Sequence, residues 1–197
     1  MEAFSDGVIA ILITVMLLEL HTPEGTTWSA LHDELPKLLT YVLSFVYLGI
    51  YWNNHHHMLH ATNRVNGLVL WANMHLLFWL SLIPFTTAWM GENHFAPTPT
   101  AAYGIVLLAC AIAYTVLQTA IIHDQRDYPV LARAVGDDWK GKLSPLIYIT
   151  GIGLAFVNHW LGVAMYVFAA LIWLIPDRRV ERALRATGAE GQDKMAE

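Results

Sequence analysis

Charged residues and cysteines are scarce in this sequence, and each scarcity excludes a class of protein. Lys, Arg, Asp and Glu together make up 14% of the 197 residues, whereas a soluble domain usually carries about 25%. The single cysteine, Cys110, lies inside an apolar segment, so an internal disulfide and a cysteine-rich metal site are excluded. The sequence also lacks a phosphate-binding glycine loop and a nucleophile elbow, and no catalytic residue is expected.

Apolar residues, in contrast, are abundant along almost the whole chain. They make up 56% of the sequence, and the mean hydropathy is +0.43. Repeated apolar stretches of about 20 residues are typical of membrane-spanning helices. The sequence therefore predicts an all-α membrane protein with six transmembrane helices per subunit. The predicted spans are residues 4–20, 36–57, 65–89, 100–122, 139–157 and 160–175.

Three local features refine this prediction. Residues 28–35 are expected to form a short interfacial helix before the second span, and Pro84 is expected to bend the third. A single helix over residues 143–175 would be about 50 Å long, against about 30 Å of hydrocarbon. A turn at Asn158 and His159 is therefore predicted between the last two spans. Gly151 and Gly153 are expected to allow close helix packing.

The basic residues predict the orientation. If the N-terminus is cytoplasmic, all of the 11 Lys and Arg residues except Lys37 fall on the cytoplasmic side. Both termini are therefore expected to be cytoplasmic, in a bacterial-type inner membrane. The predicted division is a transmembrane domain over residues 1–176 and a cytoplasmic tail over residues 177–197. The arginines that follow Pro176 are expected to meet lipid headgroups rather than nucleic acid.

The first predicted span carries a stripe of residues at helical spacing. Ile11, Thr14, Val15 and Leu18 share one face of a helix. In a symmetric bundle of several chains, Thr14 would offer a ring of hydroxyls, and Ile11 and Leu18 would form narrow apolar rings. Glu19 would then place carboxylates at the pore mouth and attract cations. The same stripe is also typical of an ordinary packed membrane helix, so periodicity leaves both interpretations open.

Polar residues occur at the start of the first span and at the end of the second, at the same predicted membrane depth. Ser5 and Asp6 can cap the first helix. Asp6 is also expected to pair with Asn54 or with a histidine, because both groups need partners at that depth. This contact would hold the first helix against the second. Asn73 and His75, in the third span, are expected to make interhelical hydrogen bonds.

The histidines allow a second interpretation. His56 and His60 are four residues apart, and with His55 and His75 they could bind zinc in a membrane metalloenzyme or a metal transporter. However, the second and third spans offer no carboxylate nearby, and an HExxH pattern is absent. We therefore expect hydrogen-bonded histidines, no bound metal and no cofactor. A non-conducting helical scaffold is a third possibility.

Two segments resemble a known family. The first runs from Phe4-Ser5-Asp6-Gly7 through the apolar stretch with Thr14 to Leu18-Glu19-Leu20. It closely resembles the first-helix signature of the transmembrane protein 175 family of potassium channels. The second segment is similar to the second helix of that family, and it runs from Ser44-Phe45 to Trp52-Asn53-Asn54-His55-His56.

This resemblance implies a function that the pattern alone does not. Members assemble in the membrane as homotetramers, and their first helices line a pore for potassium ions. By the same resemblance, Ile11 falls at the narrow hydrophobic constriction and Thr14 at a hydroxyl ring that contributes to selectivity. Val15 and Leu18 match further pore-facing positions. The expected function is passive potassium conduction through the domain formed by residues 1–176.

Overall fold

The structure is a computed structural model that describes residues 1–60, 62, 65–124 and 139–174. All regular secondary structure in these residues is helical. The helices are α1 Glu2–Leu18, α2 Trp28–His60, α3 Gly67–Ser81, α4 Ile83–Glu92, α5 Pro97–Asp124, α6 Trp139–Val157 and α7 His159–Leu174. Because α3 and α4 form one segment interrupted at Leu82, the described helices make up the six predicted segments. The predicted tail, residues 177–197, lies outside the described residues.

Three segments are long and apolar enough to cross a membrane by themselves. They are Trp28–Leu59, Gly67–Glu92 and Pro97–His123, and His159–Leu174 is a shorter apolar helix. Many large apolar side chains of these helices point outward, for example Trp71, which is 76% exposed. Such a surface suits lipid rather than water. The all-α membrane fold predicted from the sequence is therefore confirmed.

The prediction of a separate interfacial helix over residues 28–35 is wrong. α2 continues without interruption through Pro36. A proline inside a helix removes one backbone donor and crowds the preceding turn, but the turns on either side can still form. Here Lys37 and Glu34 form an ion pair of 2.8 Å across the proline, and Thr40 donates to the Lys37 carbonyl at 2.9 Å. These contacts support the continuous helix.

The two predicted interruptions are present. α3 ends at Ser81 and α4 begins at Ile83, with Pro84 in the first turn of α4, as expected because Pro84 cannot donate to the preceding turn. Asn158 separates α6 from α7. Its side-chain oxygen accepts a hydrogen bond from the Trp160 amide at 3.0 Å, so it caps the new helix.

Close packing between α6 and α7 depends on one of the two predicted glycines. A Cβ atom at Gly151 would lie 2.5 Å from Tyr166 Cε1, whereas one at Gly153 would meet nothing within 4 Å. The prediction is therefore right for Gly151 and wrong for Gly153. The buried Tyr166 hydroxyl donates to the Thr100 carbonyl at 3.2 Å and thus ties α7 to α5.

α1 lies at the edge of this bundle. It packs against α2, α3 and α4, and these four helices form a first group. The helices α5, α6 and α7 form a second group, which packs within itself and against the first. A hydroxyl cluster joins the two groups, because Ser44 on α2 lies 2.6 Å from Thr87 Oγ1 and 3.0 Å from the Tyr103 hydroxyl. The position of α1 at the edge leaves one of its faces uncovered by its own chain.

Candidate functional site

α1 has one face that is buried against the rest of the chain. Its buried residues are Ser5, Ile9, Leu12 and Met16, which recur every three or four positions and so form one stripe of the helix. Ile9 and Met16 are almost completely buried, at 1% and 2% exposure. These apolar contacts hold α1 against α2, α3 and α4.

The predicted pore residues lie on the other face of α1. Ile11 is 61% exposed, Val15 is 38% exposed and Leu18 is 81% exposed, and Thr14 and Glu19 are also exposed. The structure thus brings the four residues of the predicted stripe together on one uncovered surface. In a membrane protein such a surface contacts either lipid or further copies of the chain.

The Thr14 hydroxyl has a defined orientation. It donates its proton to the Ile11 carbonyl at 2.8 Å, within the same helix. Its oxygen lone pairs are therefore free to accept, and lone pairs are what a cation requires. A ring of such hydroxyls can contribute oxygen ligands to a partly dehydrated cation.

A buried chain of hydrogen bonds anchors the N-terminal end of α1. Asn73 on α3 donates to Ser5 Oγ at 2.9 Å, and its carbonyl oxygen lies 2.7 Å from His55 Nε2 on α2. Ser5, His55 and Asn73 are at most 2% exposed. Because buried polar groups without partners are costly, this chain fixes α1, α2 and α3 relative to one another.

The chain also sets the tautomer of His55. An amide oxygen can only accept, so His55 Nε2 carries the proton that it shares with Asn73 Oδ1. Nδ1 is buried and has no hydrogen-bond partner among the residues that the structure describes. Ser5 in turn donates to the Met1 carbonyl at 3.2 Å. Each residue of the chain therefore donates a hydrogen bond to the next one, from His55 to the first turn of α1.

A second, more exposed set of contacts lies beside this chain. Trp52 Nε1 donates to Asp6 Oδ1 at 3.0 Å, and the Trp52 ring stacks on His56 with centroids 5.8 Å apart. His56 Nδ1 lies 2.9 Å from Glu2 Oε1. The contacts to Asp6 and Glu2 connect the first two turns of α1 to the C-terminal part of α2, and the stack of Trp52 on His56 joins these two contacts within α2.

The predicted contact between the first two spans is present, but with different partners. Asp6 bonds Trp52 rather than Asn54 or a histidine, because the Asn54 amide donates to its own helix at the Ile50 carbonyl, at 2.8 Å. Asn73 makes the interhelical bonds expected of it. Among the described residues, the bond that His75 makes is within its own helix, where it accepts from Trp79 Nε1 at 2.9 Å.

Sequence reasoning overlooked Glu2. Its carboxylate, the Asp6 carboxylate and His56 offer ligand atoms within 4.8 Å of one another. The spacing of Glu2 and Asp6, four residues apart on one helical face, was a signal that could have found this group. His56 therefore sits with carboxylates of α1 rather than with His75, and the side chain of His60 lies outside the described residues.

Comparisons with known proteins identify the family of this chain. The family described as endosomal/lysosomal potassium channel TMEM175 matches residues 1–84. A potassium channel of Chryseobacterium sp. (strain P1-3) is 50% identical over 185 residues, which cover 94% of this chain and 96% of that protein. The chain belongs to the TMEM175 family. TMEM175 is an ion-channel family, which decides against the metalloenzyme interpretation.

Two further relatives cover most of the chain. A potassium channel of Streptomyces collinus (strain DSM 40733 / Tue 365) is 33% identical over 185 residues, or 87% of this chain and 89% of that protein. The crystal structure of a lysosomal potassium-selective channel TMEM175 homolog from Chamaesiphon minutus superimposes with a TM-score of 0.77 at 27% identity. The superposition covers 89% of this chain and 95% of that one.

Proposed function

We propose that this protein is a potassium channel in which four copies of the chain surround a pore lined by α1. The observation that carries this proposal is the uncovered face of α1, where Ile11 and Leu18 are 61% and 81% exposed. Around a fourfold axis, these faces turn toward one another and form apolar rings. Relatives at 50% and 33% identity are potassium channels, which supports the same conclusion.

Selectivity arises where an ion passes Ile11 and Thr14. The Ile11 ring narrows the path, so an ion loses part of its hydration there. The Thr14 ring lies one turn away, and its oxygens replace some of the lost water because their protons are already bound to the Ile11 carbonyls. Val15 and Leu18 continue the path, and Glu19 raises the local cation concentration at its mouth. Conduction is passive and needs no cofactor.

The polar contacts at the start of α1 hold the pore helix in place. Asn73 and His55 fix Ser5 from the buried side, and Trp52 holds Asp6 from the exposed side. The two sets act on successive residues of α1, so the helix can neither rotate nor slide without losing them. The orientation of Ile11 toward the axis therefore depends on these anchors.

The charge distribution of the sequence supports the proposed orientation, and the bacterial sources of the relatives support the proposed membrane. The protein lies in a bacterial inner membrane, with both termini in the cytoplasm and Glu19 at the outer end of the pore. Residues 1–176 form the channel domain and residues 177–197 a cytoplasmic tail. The anchors of α1 then lie at the cytoplasmic end, where Ser5 and Asp6 belong to the first two turns of the helix.

Ion flux into liposomes tests this function. We expect wild-type protein to take up potassium faster than sodium and to run as a tetramer in detergent. Ile11→Asn should increase flux, because a polar side chain wets the constriction, and Thr14→Ala should reduce the preference for potassium. Phe168→Ala is the matched control, because this 51% exposed side chain lies on α7, away from the proposed pore. Absence of flux, or identical flux in all variants, would overturn the proposal.

A further inference from the structure

Phe4 is an exposed aromatic residue on the same face of α1 as the proposed pore residues. It is 57% exposed, while Ile11 and Leu18 are 61% and 81% exposed. The three residues follow one another at intervals of seven along α1. Seven residues of an α-helix make almost two full turns, so these side chains leave the helix in nearly the same direction. In a bundle in which Ile11 faces the axis, Phe4 therefore faces it as well.

Gly7 leaves space between the Phe4 and Ile11 layers. The two layers are about 10 Å apart along the helix axis, and Gly7 lies between them on the exposed face. A Cβ atom at Gly7 would meet nothing within 4 Å. Because Gly7 and Thr14 are also seven residues apart, they face the axis to a similar degree. We call the space that Gly7 leaves between the rings of Phe4 and Ile11 the inner chamber.

The rings of Phe4 give the inner chamber an affinity for cations. The face of a phenyl ring attracts a cation that lies within about 6 Å of the ring centre, and each chain supplies one such ring. The wall itself carries no full charge, because Phe4, Gly7 and Ile11 are all uncharged. A cation that keeps its charge among apolar groups therefore suits this space better than a strongly hydrated ion does.

Asp6 adds a negative charge at the same end of α1. It lies in the first two turns of the helix and accepts a hydrogen bond from Trp52 on α2 at 3.0 Å. Trp52 is neutral, so this bond leaves the charge of Asp6 in place, and the contact with α2 keeps the carboxylate from narrowing the path. One full charge per chain exceeds the partial positive charge of about half a unit at the start of a helix. The local field therefore attracts cations.

We propose that the inner chamber binds a quaternary ammonium ion, with its charge against the rings of Phe4 and its alkyl groups against Ile11. Such an ion gains both cation–π attraction and burial of apolar surface. Because its alkyl groups cannot be shed as water can, the ion does not pass the constriction at Ile11 and blocks potassium conduction. This inference rests on the proposed function, since it requires that α1 lines the pore.

Tetrabutylammonium is the probe, because it carries a fixed charge inside four alkyl groups. Potassium current is recorded across planar bilayers that contain the full-length protein, with the probe on both sides. We expect the probe to block the wild-type current. Tetramethylammonium should block more weakly, because its smaller groups contact less of the chamber wall.

Phe4→Leu tests the aromatic ring. The variant keeps an apolar side chain but loses the cation–π contact, so half-maximal block should need about 2- to 30-fold more tetrabutylammonium. Phe4→Trp should block at least as well as wild type, since the indole ring attracts cations most strongly. Phe168→Leu is the matched control, because Phe168 is 51% exposed on α7, away from the proposed pore. Its block should equal that of wild type.

Gly7→Val tests the space. Its side chain fills part of the inner chamber, so block by tetrabutylammonium should weaken more than block by the smaller tetramethylammonium. Gly153→Val is the matched control, because a Cβ atom at Gly153 on α6 also meets nothing within 4 Å. Equal losses for the two probes in Gly7→Val would contradict a chamber at this level.

A chemical protection experiment tests the site without current. In Phe4→Cys, the new thiolate attacks a methanethiosulfonate reagent, which forms a mixed disulfide and releases methanesulfinate, and mass spectrometry measures the adduct. Cys110 is completely buried and gives the background in wild type. We expect tetrabutylammonium to slow this reaction.

The two readouts separate this inference from the proposed function. A wild-type protein that conducts potassium but is not blocked would overturn the inference alone. It would also be overturned by unchanged block in Phe4→Leu, or by a labelling rate in Phe4→Cys that the probe does not change. Absence of any current would overturn the proposed function, whereas protection of position 4 would still support binding of the ion there.

Discussion

Asn73 donates a hydrogen bond to Ser5 across 2.9 Å and thereby joins α3 to the buried face of the proposed pore helix. The same amide accepts from His55, so one side chain connects three helices. Both bonds are buried, so a polar group that loses its partner there cannot bond to water instead. The position of α1 in this TMEM175 protein therefore depends strongly on a single residue of the third span.

Asn73→Leu should destabilise the protein by about 1–3 kcal/mol. The substitution keeps the size of the side chain but leaves Ser5 and His55 without their buried partner. The measurement is the free energy of unfolding in mixed micelles of increasing SDS content. Asn93→Ala is the control, because the exposed Asn93 amide donates to the nearby Trp89 carbonyl and joins no two helices within the part of the chain that the structure describes. A loss below about 0.5 kcal/mol in both variants would contradict the anchoring role of Asn73.

Trp52→Phe should weaken the attachment of α1 to α2 by about 1 kcal/mol. The variant loses the N–H that bonds Asp6 at 3.0 Å but keeps a ring that can stack on His56. A hydrogen bond to a carboxylate contributes about 1.5–3 kcal/mol when buried, and Trp52 is 45% exposed, which reduces this value. A double-mutant cycle with Asp6→Ala measures the coupling. If the two effects are simply additive, the contact does not stabilise the helix pair.

Gly151→Ala and Gly153→Ala should change stability in opposite directions. A methyl group at Gly151 would collide with Tyr166 at 2.5 Å, whereas at Gly153 it meets open space. We expect a loss of about 1–3 kcal/mol for Gly151→Ala, and a gain of about 0.5–1 kcal/mol for Gly153→Ala from helix propensity. Thermal unfolding of both variants measures the difference. Equal shifts in the melting temperature of the two variants would mean that α7 does not pack closely against α6 at Gly151.

The sequence predicted the parts of this fold that depend on local chemistry. Pro84 and Asn158 interrupt helices at the expected places, because a missing N–H and a capping side chain act within one turn. The helix across Pro36 was not predicted, because the ion pair and the hydroxyl contact that accompany it are not part of a propensity rule. Membership of the TMEM175 family was predicted from two segments and is confirmed.

The partners of the polar residues were harder to predict. Membrane depth indicated that Asp6 needed a partner on the second span, but the choice of Trp52 over Asn54 depends on how α2 is rotated. In the same way, Asn73 and His75 are only two residues apart, yet one faces α1 and α2 while the other bonds within its own helix. Rotation about a helix axis is set by packing of the whole bundle, which local patterns do not contain.

In the proposed channel, the exposed face of α1 lines the ion path. The direct test is Ile11→Cys with Ag⁺, which is small enough to follow potassium and binds thiolates. Cys110, the only native cysteine, is completely buried, so wild type serves as the background, and Phe168→Cys serves as a lipid-facing control. We predict that Ag⁺ abolishes potassium flux through Ile11→Cys and leaves the other two proteins conducting. Unchanged flux through Ile11→Cys would contradict the proposed pore.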